Sequence, residues 1–327
     1  MNIHVNADLN PASIAAAAAV IGHNSQAEWS SGHIPLAPYE PTDEIEAVVD
    51  ELVALHRERQ FVLKNKTKLI LAQKAAARSM LCTDADFEED TNTDKVTAFG
   101  RKKVKLSKAA EKRVDTAIAA ALEEIKSGQI VSRLAATIRH FPASIENFEK
   151  QDEEIKKVMT KLVKHLPVYP WVKSVKGFGD ISFATIVGEC GDIGSYKSVA
   201  AVWKRLGLAV MNGKRQGAPG EGATAQDWIA HGYNRQRRAV SWNARQQVIG
   251  GMGKWRPAYG CDLLHASYYQ RVYAERARYE SEKLGLPVER NEKTGNESYK
   301  MHAANRAHRY VEKRLIKHLY LEWRRAA

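Results

Sequence analysis

The sequence predicts a mainly α-helical protein, with a long coiled-coil-like arm followed by a basic helical domain that contains a helix-hairpin-helix. Apolar residues recur at spacings of three and four through most of the first half, the period of one helix face. Residues 164–327 contain 28 Lys or Arg against 14 Asp or Glu, a net of +14, whereas residues 1–163 contain 22 against 24. Between Trp171 and Asp192, two apolar helical stretches are separated by Gly177-Phe178-Gly179; glycines let the chain reverse sharply because no Cβ opposes positive φ.

Residues 1–40 carry Asn, Ser, Gly, Pro and an alanine tract without lasting periodicity, which reads as a flexible leader. The apolar run from Ala15 to Ile21 has no basic residue before it and is too short to span a bilayer. The three cysteines, Cys82, Cys190 and Cys261, are far apart and draw neither a disulfide framework nor a metal spacing. A cytoplasmic chain with no membrane partner is expected.

Residues 41–166 form the expected arm. Thr42 or Asp43 caps a helix running to about Met80, with Ile45, Val48, Leu52, Leu55, Val62 and Leu69 on one face. Thr83 to Thr97 is acidic and poor in large apolar residues, a solvated loop. Its carboxylates lack the glycine of a calcium loop and any strand to hold them rigid, so no metal site is expected there. Ser107 caps the next helix and Gly128 ends it; a shorter helix with Ile130, Leu134 and Ile138 stops at Pro142. Beyond Ser144, the stripe Ile145, Phe148, Asp152, Ile155, Met159, Leu162 and Leu166 keeps strict heptad spacing, broken only by Asp152. Such a stripe needs a partner, either the helix from Ile45 or a second copy of the chain in a homodimer, with Asp152 fixing register.

Residues 167–327 form the basic domain, entered through Pro167 and Pro170. The second helix of the hairpin offers free amides and its dipole to a phosphate, with Lys173 and Lys176 beside it. Val199, Val202, Trp203 and Leu206 give another helix, and the glycine-rich Met211 to Gln226 a mobile loop. Arg235, Arg237, Arg238 and Arg245 then interleave with Tyr233, Trp242 and Asn243, a composition suited to phosphate contact and base stacking. After the Gly250–Gly253 turn comes a tyrosine-rich helix, then a loop over 285–300. The last helix buries Val311, Leu315, Leu319 and Trp323 and leaves His302, His308 and His318 at the surface or against a partner.

Several of these residues together resemble a known family: Gly177-Phe178-Gly179, Ala184-Thr185, Glu189, Gly191-Asp192, Ser198 and Leu206-Gly207-Leu208-Ala209, followed by Gly232-Tyr233-Asn234 and its arginines. Over roughly residues 145–327 the chain is similar to the C-terminal domain of bacterial insertion-sequence transposases, a family that includes the Piv-type DNA invertases. The resemblance implies a DNA-binding protein acting in transposition or recombination, paired through its coiled-coil arm. Lys173, Lys176, Gly177, Phe178 and Gly179 would make the hairpin contact, and Arg235, Arg237, Arg238 and Arg245 further phosphate contacts.

The family's strand chemistry belongs to an N-terminal nuclease-like domain, with three Asp and one Glu around magnesium, and to a C-terminal nucleophilic serine. Residues 1–140 show helical periodicity and no strand run ending in Asp, so no cofactor is expected unless another chain supplies a nuclease domain with its magnesium. No serine lies between Met211 and Gly232, where Thr224 is the only hydroxyl. Thr224 and Ser241 are the candidate nucleophiles if the chain is an active transposase. A structured-RNA-binding or assembly scaffold is the other alternative, since some family members act with a guide RNA.

Overall fold

The computed structural model describes residues 38–89, 104–211, 213–220, 222–250 and 266–326. The leader, the alanine tract, Cys261 and the turn after Gly250 fall outside these residues. The described residues from Glu40 onward belong to one compact unit. Helices dominate the described residues, which contain three short antiparallel strand pairs, and no described helix is long and apolar enough to cross a membrane.

The spine is α1, Asp43–Leu81, about 58 Å long at 1.5 Å per residue. Thr42 caps it, its hydroxyl accepting from the Ile45 amide. Ile45, Val49, Leu52, His56 and Val62 are buried, while Val48 and Leu55 are only half-buried. The stripe is rotated and widened relative to the predicted one because α1 serves two neighbours: α4, Phe141–Leu162, and α6, Asp180–Cys190.

Pro142 falls in the first turn of α4, where its missing N–H is harmless, so it starts a helix at the point where the sequence predicts an end. Asp152, Ile155 and Met159 are buried against α1. Arg59 of α1 donates to Asp152 at 2.7 Å, and Lys156 stands 2.7 Å from the other oxygen. The polar break in the heptad thus fixes register within one chain. Of the two partners expected for this stripe, α1 of the same chain packs on it, with Ile145, Phe148 and Leu162 half-buried.

At the far end of α1, a satellite core joins Ala77 to Leu106, Val114, Leu134 and Ile138. It is built with α2, Lys108–Ser127, capped by Ser107 and closed by left-handed Gly128, and α3, Arg133–Ile138. The expected solvated loop is partly ordered: β1, Phe87–Glu89, pairs with β2, Val104–Leu106, and Asp86 pairs with Arg113. Residues 90–103 lie outside the described ones.

In the second half, α5, Tyr169–Ser174, leads into α6. Next come α7, Val199–Arg205; β3, Val210–Met211, with β4, Lys214–Arg215; α8, Ala225–His231; and α9, Arg235–Ile249. They are followed by α10, Tyr268–Lys283; β5, Val288–Arg290, with β6, Glu297–Tyr299; and α11, Met301–Ala326. The two expected loops therefore contain short hairpins, which satisfy backbone groups locally. Val311, Leu315, Leu319 and Trp323 of α11 are buried as expected. Trp323 meets Phe183 edge-on at 6.2 Å, and Phe183 meets Phe178 at 6.0 Å. His318 is no surface histidine: it bonds Tyr269 at 2.8 Å, and burial pushes its pKa down to about 3. The arm and the basic domain share one core, since α1 packs on α6 as well as on α4.

Candidate functional site

The hairpin is open on one side and closed on the other. Phe178 is buried between Trp171 and Phe183, whereas Lys173, Lys176, Gly177 and Gly179 are exposed. Gly179 is the N-cap of α6 and has no side chain to offer its amides, so that helix end keeps unsatisfied donors. Asp180 already places a negative charge in the first turn, accepting from Tyr169 at 3.3 Å and facing Lys173 at 3.7 Å. That exposed ion pair is weak.

Gly177 has a role different from approach to a phosphate. Its φ is +83°, and a Cβ there would stand 2.4 Å from the Gln247 carbonyl oxygen of α9. The glycine lets α9 close on the bend, and Ser182 of α6 donates to the Gln247 side chain at 2.6 Å. Gly177→Ala is expected to cost about 2–3 kcal/mol through φ strain and overpacking, seen as a lower urea midpoint at unchanged m.

The arginine block is mostly internal. Arg235 is exposed at the start of α9, capped by Asn234, which accepts from the Gln236 and Arg237 amides. Arg237 pairs with Glu189 of α6 at 2.8 Å. Arg238 forks onto Glu312 of α11, with Nη2 donating to Oε2 at 2.9 Å. Arg245 is 2% exposed, its Nε and Nη1 lack hydrogen-bond partners, and burial pushes its pKa down to about 10. Of the four arginines expected on phosphate, only Arg235 is presented in full; Arg238 and Arg245 are spent on the core, and Arg237 lines a cleft.

That cleft encloses about 310 Å³ between α1, the C-terminal end of α6 and the N-terminal end of α9. Glu189 lies buried on its wall. Its Oε1 is 2.8 Å from Arg237 Nε and 3.2 Å from Arg205 Nη2, and its Oε2 is 3.5 Å from His56 Nε2. Arg205 also donates twice to the Glu189 carbonyl, at 2.8 and 3.0 Å, holding the C-terminal end of α6. Burial raises the Glu189 pKa, but His56 and the two arginines outweigh it and hold the carboxylate below its usual range. Cys190 beside it is the reverse case, its thiol pushed up to about 12 by burial. The cleft wall thus sets a carboxylate held ionised and a thiol held protonated beside the guanidinium groups of Arg205 and Arg237.

Glu189 and Arg237 were legible in the sequence as parts of two motifs. His56, Arg57 and Arg205 were missed. The only signal was that His56 follows Val49 and Leu52 at helical spacing, a titratable residue on an apolar stripe. The candidate nucleophiles are not placed for attack. Thr224 caps α8, its hydroxyl donating to Asp227 at 2.8 Å and accepting from the Asp227 amide, and these bonds hold the Asp227 pKa low, so it is a weak base. Ser241, the other candidate, is fully buried and donates to Glu312 at 2.6 Å. Among the described residues no three His, Cys, Asp or Glu side chains converge as metal ligands. Comparison with known protein families, with curated proteins and with solved structures finds no match.

Proposed function

We propose that this chain is a DNA-binding protein of the transposition and recombination kind, gripping the sugar-phosphate backbone at the hairpin. The observation that carries the reading is the bend itself. Phe178 anchors it in the core, while two exposed glycines, an N-terminus without a side-chain cap and the exposed Lys173 and Lys176 stand together on the surface. Exposed backbone donors and cations around a helix start suit a phosphate, and the net charge of +12 supplies the long-range attraction. Neither Thr224 nor Ser241 supports strand cleavage by this chain, so binding is proposed without a nucleophile.

A salt-titrated binding measurement on duplex, branched and structured-RNA probes tests this. Combining Lys173→Glu with Lys176→Glu is expected to weaken DNA binding about equally across sequences. The slope of log Kobs against log salt should fall by about 2, one condensed counterion for each phosphate that the variant no longer neutralises. An unchanged slope rules out the hairpin, and preference for the RNA probe over duplex moves the reading to a structured-RNA binder.

A further inference from the structure

The two ends of α6 present different surfaces. The N-terminal end carries the hairpin, and the C-terminal end, about 15 Å away at 1.5 Å per residue, carries the Glu189 cleft. Three guanidinium groups line that cleft, Arg57, Arg205 and Arg237, against the single carboxylate of Glu189. Counting only these three guanidinium groups and the Glu189 carboxylate, the cleft carries an excess of +2. Arg237 approaches Glu189 through Nε and lines the same cleft. Arg205 spends Nε and Nη2 on Glu189 and keeps Nη1. Arg57 is exposed at the rim.

A buried carboxylate that holds two guanidinium groups by one edge, while both still line a cavity, is a positioning device. It orders the forks beforehand, so less side-chain entropy is lost when an oxyanion arrives. The geometry points to a phosphate-binding pocket between α1, α6 and α9, in which Arg57, Arg205 and Arg237 hold the dianion of a phosphate monoester and Glu189 positions two of them. Planar forks match phosphate oxygens in pairs, and the residual +2 equals the charge of that dianion. A cleft of about 310 Å³ takes a phosphate with its attached sugar rather than a duplex. His56, 4% exposed with its Nδ1 unpartnered, stands in the same wall. The monoester is either a free small molecule or the 5′ end of a strand, and the pocket does not depend on the hairpin's reading, because it lies at the other end of α6.

The test is a titration of the full chain with inorganic phosphate at constant ionic strength, followed by calorimetry and by Tm. Saturable binding with a rise in Tm that chloride does not reproduce is expected. Arg57→Gln, which breaks no bond to Glu189, should weaken phosphate about tenfold, the effect of one charge-assisted hydrogen bond. Arg237→Lys keeps the charge, loses the fork and should weaken it similarly, with helicity unchanged. Absence of saturable binding, or both variants binding phosphate as tightly as the parent, overturns the pocket. Displacement of phosphate by a 5′-phosphorylated but not a 5′-hydroxyl oligonucleotide supports a strand end as the ligand, and displacement by a 5′-mononucleotide alone supports a small molecule. Lys173→Glu with Lys176→Glu should leave phosphate binding unchanged, so the hairpin and the pocket can fail separately.

Discussion

Glu312→Ala is expected to lower the free energy of unfolding by about 3–5 kcal/mol, the usual cost of removing one partner from a buried ion pair. Glu312 is fully buried on α11 and accepts from both Nη groups of Arg238 and from the Ser241 hydroxyl. Arg245, itself buried beside this group, depends on the same carboxylate for electrostatic compensation. The substitution therefore leaves the Arg238 guanidinium and the Ser241 hydroxyl without their acceptor and Arg245 without its nearby negative charge, in a place that water reaches poorly. Most of the expected loss is this stranded charge, not the net worth of the contact. Replacing Glu312 and Arg238 together by methionine should consequently cost less than Glu312→Ala alone, since neither desolvated charge remains. Urea unfolding with unchanged m decides between these outcomes. A loss below about 1 kcal/mol in the single variant would mean that solvent reaches the site.

Gly188→Ala is expected to destabilise the protein, although alanine is favoured over glycine inside a helix by about 1 kcal/mol. The sign is set by packing. A Cβ at position 188 would stand 2.4 Å from His56 Cβ and 2.9 Å from the Leu52 carbonyl oxygen of α1. Both atoms belong to or adjoin the α1 backbone, so no rotamer change relieves the overlap and the helices must separate. Overpacking of this kind costs about 1–3 kcal/mol, and Gly188→Val should exceed the alanine variant. Separation of α1 from α6 also carries His56 and Arg57 away from Glu189, so phosphate affinity should fall together with stability. A stabilising Gly188→Ala, with the urea midpoint raised, would refute the close approach of α1 and α6.

The contrast between the two kinds of charged residue explains where the sequence was legible. Thr42, Ser107 and Gly128 were readable as helix ends because a cap is satisfied within three or four residues of itself. The stripe ending in Val311, Leu315, Leu319 and Trp323 was readable because a buried face repeats with the helix period. Asp152 stood out as a break in such a stripe, but its partner, Arg59, lies 93 positions away. Arg237 and Arg238 looked alike as adjacent members of a basic block. A rotation of about 100° along the helix sends one to Glu189 on α6 and the other to Glu312 on α11.

The sequence by itself determined the helical class, most helix ends, the basic half and the place of the hairpin, since each follows from neighbours a few residues apart or from a sum over composition. Tertiary structure alone decided which arginines remain open to an anion, which of two partners covers the α4 stripe, and that His56, Arg57 and Arg205 meet Glu189 in one cleft. Those outcomes depend on which faces of distant helices come together, and ion pairing and burial carry no periodic trace along the chain from which that meeting could be read.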